Sequence, residues 1–132
     1  MSSLSEVRWI DLPTVHDNRG SLTFIESEKN IPFEIRRIFY IHHVIGDRGG
    51  HAHTDTEQII VALSGSFTLE LSDGSGYVSY RMSDPEKGLY IPKMIFANLL
   101  NFSTDSVCLV LASTHFIDDY IHIEEMTPGR DK

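Results

Sequence analysis

His51 and His53 stand two residues apart in the segment Arg48-Gly49-Gly50-His51-Ala52-His53-Thr54-Asp55-Thr56-Glu57-Gln58, with Glu57 four positions after the second. On an extended strand, side chains at i and i+2 leave the backbone on the same face. The two imidazoles would then look into one space. Imidazole gains and loses a proton near neutral pH and also ligates metals, so the pair suits proton transfer or metal binding.

The elements that must carry these rings read as strands almost throughout. Residues 7–12, 21–26, 35–44, 58–63, 77–82, 89–91, 95–102 and 107–112 are strand segments rich in β-branched and aromatic residues. Within 58–63 the run 59–63 is continuously apolar, as in a strand buried on both faces. Phe67, Leu69 and Leu71 alternate with Thr68 and Glu70, which predicts one buried and one wet face. Turns fall at 16–20, 64–65, 72–76 and 83–88, and residues 46–50 form a glycine-rich loop leading to His51. Residues 116–125 suit a strand or a short helix equally, and 128–132 form a frayed tail. Many short strands, with no repeat and no linker, predict a single all-β domain over 1–132, a sandwich or barrel.

Composition narrows the function classes. The 132 residues include 11 Lys and Arg against 19 Asp and Glu, a formal charge of -8. Such a surface repels nucleic-acid phosphates and anionic membranes, and no helix of recognition type is evident, so neither is an expected partner. A small anionic substrate stays compatible, because a few local arginines can make a positive pocket. The one cysteine, Cys108, lies in the apolar run 107–112 and reads as a buried core thiol. No intramolecular disulfide is available, which fits a reducing compartment. Residues 1–6 lack an apolar signal core, and no stretch approaches the ~18 apolar residues of a membrane helix, so a cytoplasmic protein is expected.

His51, His53, Glu57 and Gly65 resemble the first motif of the cupin superfamily, which implies a jelly-roll barrel (a double-stranded β-helix) with its site in the barrel mouth. The second cupin motif is matched at Pro92 and Asn101, but Met94 replaces its glycine and Ala97 its histidine. A catalytic metal site ordinarily uses three or four protein ligands, so the loss at 97 favours acid–base catalysis by the histidines, with no metal. Four blocks carry a narrower resemblance: 18–22, 36–41, 48–53 through Gly65, and 88–91. Together they are similar to the metal-independent sugar-nucleotide 3,4-ketoisomerases that act on dTDP-4-keto-6-deoxyglucose.

That resemblance implies an isomerase without a cofactor, moving a carbonyl from C4 to C3 through an enediol. His51 is the expected base and His53 the partner acid or shuttle, though the residues alone leave that order open. Tyr40 is expected to hydrogen-bond a developing oxyanion, with core packing as the alternative. Arg19 and Arg48 adjoin glycines and are expected to bind the diphosphate or sugar, since arginine pairs bidentately with phosphate oxygens. Glu57 is expected to orient a histidine, and Gln58 and Tyr90 to touch the nucleotide or sugar. Arg19 matches the galacto-yielding form, whereas Ala97 matches neither usual form, which leaves the C4 configuration of the product open. Rival readings are a 3,5-epimerase of the same substrate, a non-catalytic sugar-binding cupin, and a metal-dependent cupin. A homodimer is implied by the resemblance, with residues 7–12 as a strand able to join a neighbour's sheet.

Overall fold

The computed structural model describes residues 3–122. After one 3-10 turn, Leu4–Glu6, the regular structure is all strand. In chain order the strands are β1 (Arg8–Asp11), β2 (Thr14–Asp17), β3 (Gly20–Thr23), β4 (Arg37–Ile41), β5 (Arg48–His53), β6 (Gln58–Ser64), β7 (Phe67–Ser72), β8 (Tyr77–Met82), β9 (Lys87–Ile91), β10 (Phe96–Leu100), β11 (Val107–Ala112) and β12 (Tyr120–His122). They make two five-stranded sheets, β1-β9-β6-β11-β4 and β12-β5-β10-β7-β8, and a separate two-stranded hairpin, β2-β3. Every pairing is antiparallel. From β4 onward the chain crosses repeatedly between the sheets, as in a jelly roll. Among the described residues no helix is long and apolar enough to cross a membrane.

The core lies between the sheets. Phe67, Leu69 and Leu71 of β7 are fully buried there against Ile60 and Ala62 of β6, Leu89 of β9, and Cys108 and Val110 of β11. Burying each large apolar side chain stabilises the fold by about 1.5–3 kcal/mol. Cys108 is part of this interior, and burial pushes its thiol up to about 12, which leaves it inert. β6 is buried on both faces because Ile59 and Val61 enter a second cluster with Leu12, Ile31, Phe33, Tyr90 and Leu111. That cluster lies under the connection between β3 and β4, on the outside of the first sheet.

Several local expectations are corrected. β5 begins at Arg48, so the glycines before His51 are already strand. Within one chain, the segment 7–12 pairs as the edge strand β1, with Arg8 to Asp11 set against Tyr90 to Lys87. Of the segment 116–125, residues 120–122 become β12 because they add to the open edge of β5. Residues 123–125 and the tail 128–132 lie outside the described residues.

Candidate active site

β5 delivers both histidines to one cleft between the sheets. Ala52, between them in sequence, is fully buried on the opposite face, as the strand period requires. The imidazole centroids are 6.3 Å apart. The cleft wall opposite is apolar, made by Phe39 and Ile41 of β4, Ile60 of β6 and Val110 of β11. Ala97 of β10 stands opposite His51 in register, where its methyl leaves space. β5 can approach β10 because residue 49 is glycine: a Cβ there would lie 2.4 Å from the Ala97 carbonyl oxygen, and φ is +110°.

The two rings differ electrostatically. His53 Nδ1 donates to Asp119 Oδ1 at 2.8 Å, with the side chains 13% and 2% exposed. Asp119 Oδ2 accepts from the Asp55 backbone N–H at 3.0 Å and the Thr56 hydroxyl at 2.8 Å. Burial raises the Asp119 carboxyl, but the hydrogen bonds from His53, Asp55 and Thr56 outweigh it and hold the group below its ordinary 3.8. An ionised Asp119 keeps the neutral ring's proton on Nδ1 and leaves the Nε2 lone pair free. Gln58 Nε2 lies 3.4 Å from that Nε2, positioned to donate to it. Among the described residues His51 has no such carboxylate hydrogen bond. Burial holds it below its ordinary 6.5, and the neighbouring charges of His53 and His122 push the same way. The His51 imidazole is therefore largely uncharged at neutral pH. The Tyr120 ring packs on both imidazoles, with centroids at 4.3 Å from His51 and 4.6 Å from His53.

Of the residues singled out by sequence, Arg48 and Gln58 line the cleft with His51 and His53. Four others stand elsewhere in the chain. Tyr40 is 62% exposed on the outer face of the first sheet, in register with Leu109 and beside His42, so it does not meet the cleft. Tyr90 also faces outward, in the second cluster, and donates its hydroxyl to Glu57 Oε1 at 2.7 Å. Burial first, and the Glu57 hydrogen bond second, raise the Tyr90 phenol far above its ordinary value. Glu57 is thus engaged on the far side of the sheet, and the carboxylate that orients a histidine is Asp119. Arg19 sits at the exposed tip of the β2-β3 hairpin, bonded to Asp17 at 2.6 Å. Two residues escaped the sequence reading, Asp119 and Tyr120, and His122, whose sequence surroundings mark it only as structural or surface, stands 6.5 Å from His51, centroid to centroid. All lie at or beside β12, whose pairing sets Tyr120 opposite His53 and His122 opposite His51.

This geometry has close counterparts. The family model described as FdtA, WxcM-like, C-terminal matches residues 5–126. The TDP-4-oxo-6-deoxy-alpha-D-glucose-3,4-oxoisomerase of Aneurinibacillus thermoaerophilus is 40% identical over 119 residues, covering 88% of this chain and 86% of that protein. QdtA, a 3,4-ketoisomerase from Thermoanaerobacterium thermosaccharolyticum solved as a mutant in complex with TDP-4-keto-6-deoxyglucose, superimposes with a TM-score of 0.89 at 32% identity, covering 94% of this chain and 96% of that one. WlaRB, a TDP-quinovose 3,4-ketoisomerase from Campylobacter jejuni, gives a TM-score of 0.86 at 38% identity, covering 90% and 94%. The histidine cleft, the jelly roll that holds it and these relatives agree: the chain belongs to the FdtA family, WxcM-like, C-terminal, and is a cupin-type sugar-nucleotide 3,4-ketoisomerase.

Proposed function

We propose that the chain converts dTDP-4-keto-6-deoxyglucose to a dTDP-3-keto-6-deoxyhexose. The observation that supports this most is the contrast between two imidazoles in one cleft, one a neutral base and the other held by a buried carboxylate. His51 takes the proton from C3, and the electron pair runs toward the C4 carbonyl oxygen, giving an enediolate. A proton reaches O4 as the O3 hydroxyl gives one up. The C3–O bond becomes the carbonyl, and a proton is placed on C4. In sum, one hydrogen moves from C3 to C4 and one from O3 to O4, so no external oxidant or reductant is consumed. His53, bonded to Asp119, is the group that passes protons at the oxygens. Asp119 compensates the positive charge while that ring carries two protons.

Arg48 and Gln58 are the substrate contacts that the cleft supports within one chain. The substrate's sugar lies over the histidines, and Ala97 leaves open the side of the sugar that faces β10. We place the enzyme in the cytoplasm, where nucleotide sugars are made, as a homodimer. The exposed β2-β3 hairpin supports the dimer and offers Arg19 a way to reach a second copy's cleft.

Incubation with dTDP-4-keto-6-deoxyglucose in deuterated water tests the reading by NMR. Deuterium at C4 of a 3-keto product is the expected result, and the same spectrum reads the C4 configuration. Exchange at C3 and C5 with the carbonyl still at C4 would mean a 3,5-epimerase. No exchange and no product would mean a sugar-binding protein.

A further inference from the structure

We propose that His122 relays a proton between His51 and water, so that the hydrogen taken from C3 exchanges with solvent before His51 returns one to C4; this deepens the ketoisomerase reading and rests on it. β12 is the last strand of its sheet, and its pairing with β5 sets His122 opposite His51. Opposed residues of an antiparallel pair share a face of the sheet. The two rings stand on that face with centroids 6.5 Å apart. Imidazoles in direct N–H···N contact have centroids about 5 Å apart, so this spacing suits one bridging water. His122 is exposed at the sheet edge, whereas His51 is half-buried.

The surroundings of His51 close other routes once substrate is bound. The Tyr120 ring packs on it at 4.3 Å. The far wall of the cleft is apolar, and a sugar seated over the histidines covers the face between. His53 offers no exit through Nδ1, which Asp119 holds with a side chain only 2% exposed. What stays open is the edge strand, and the ring there takes and gives a proton near neutral pH. Charge on His122 opposes charge on His51, so the pair holds one proton more readily than two, which favours hand-over. The step balances. The C3–H bond breaks as an N–H bond forms on His51. That proton passes through His122 to water, another returns by the same path, and the N–H bond breaks as C4–H forms. No net proton is gained or lost and no redox partner is needed.

Single-turnover conversion of dTDP-4-keto-6-deoxyglucose carrying deuterium at C3, run in ordinary water, tests this on the wild type, His122→Ala and His122→Arg, with NMR reading the label at C4 of the product. The wild type should wash the label out. Loss of a positioned proton carrier should slow exchange ~100-fold, so both variants should still form product but keep most of the deuterium at C4. Arginine preserves a charge at 122 without releasing its proton, so it separates relay from electrostatics. Imidazole added to His122→Ala should restore the washout, which a merely structural role for His122 would not allow. Thermal melting should show both variants folded. A wild type that keeps the label would overturn the proposal, as would retention in His122→Ala that imidazole leaves unchanged. A 3-keto product with equal washout in all three proteins would remove the relay and leave the ketoisomerase reading standing. A wild type that forms no 3-keto product would remove both.

Discussion

The two imidazoles of β5 are the same group in different fields, and the roles proposed for them rest on that difference. His51, held below 6.5 by burial, is free to accept a proton; His53 is tied to Asp119. Replacing His51 by Asn should abolish turnover while leaving TDP affinity within several-fold, as titration and product assay would show. Asp119→Asn should lower kcat by ~100-fold with little change in TDP binding, because the amide can donate to Nδ1 and favour the wrong tautomer. Since kcat/KM reports the free enzyme, the acidic limb of its pH profile should bend below 6.5, where His51 becomes protonated. A bend above 6.5 would reassign the base. His51 and His53 are legible in the sequence because their relation is local, two residues on one strand. Asp119 is not, since it lies 66 residues from His53 and nothing near it in sequence marks the contact.

At the scale of elements, the site depends on β5 lying close against β10, and Gly49 permits that approach. Gly49→Ala would set a methyl group against the Ala97 backbone and demand a positive φ of +110° from a side-chain residue. We expect a loss of roughly 2 kcal/mol or more of stability, read by denaturant unfolding, and a larger fall in kcat than in TDP affinity as the histidines shift. The same elements show what sequence pattern can and cannot locate. Alternation identifies β7 and its inward face, because one side is wet. In β6, β9 and β11 both sides are largely apolar, so the pattern carries no parity. Placing Tyr90 and Glu57 at the site was therefore undetermined by the sequence, and the register of Tyr90 with Ile59 turns both outward. β12 is three residues long and has no signal of its own; it exists as a strand by pairing with β5.

Among the described residues the whole molecule leaves the β2-β3 hairpin and four sheet edges, β1, β4, β8 and β12, without further strand partners. β2 and β3 pair only with each other, and a lone two-stranded hairpin is marginal in water. It exposes Val15 at 55% and Leu22 at 61%. β4 pairs on one side with β11, and its outer face exposes Ile38 at 61% and Tyr40 at 62%. A monomer would carry both liabilities into solution, whereas a two-fold dimer can cover the apolar hairpin of each copy with the other. If the wild type is the dimer proposed above, the double variant Val15→Glu/Leu22→Glu should run as a monomer in light scattering after gel filtration while the wild type runs as a dimer. Each glutamate places a charge on an apolar contact without touching the cleft, so circular dichroism should stay that of a folded β protein. If Arg19 acts across the interface, KM for the keto-sugar nucleotide should rise in the monomer by ~10-fold or more, and Arg19→Ala should raise it comparably while remaining dimeric. A monomeric wild type at micromolar concentration would remove the dimer and, with it, any role for Arg19 at the histidines.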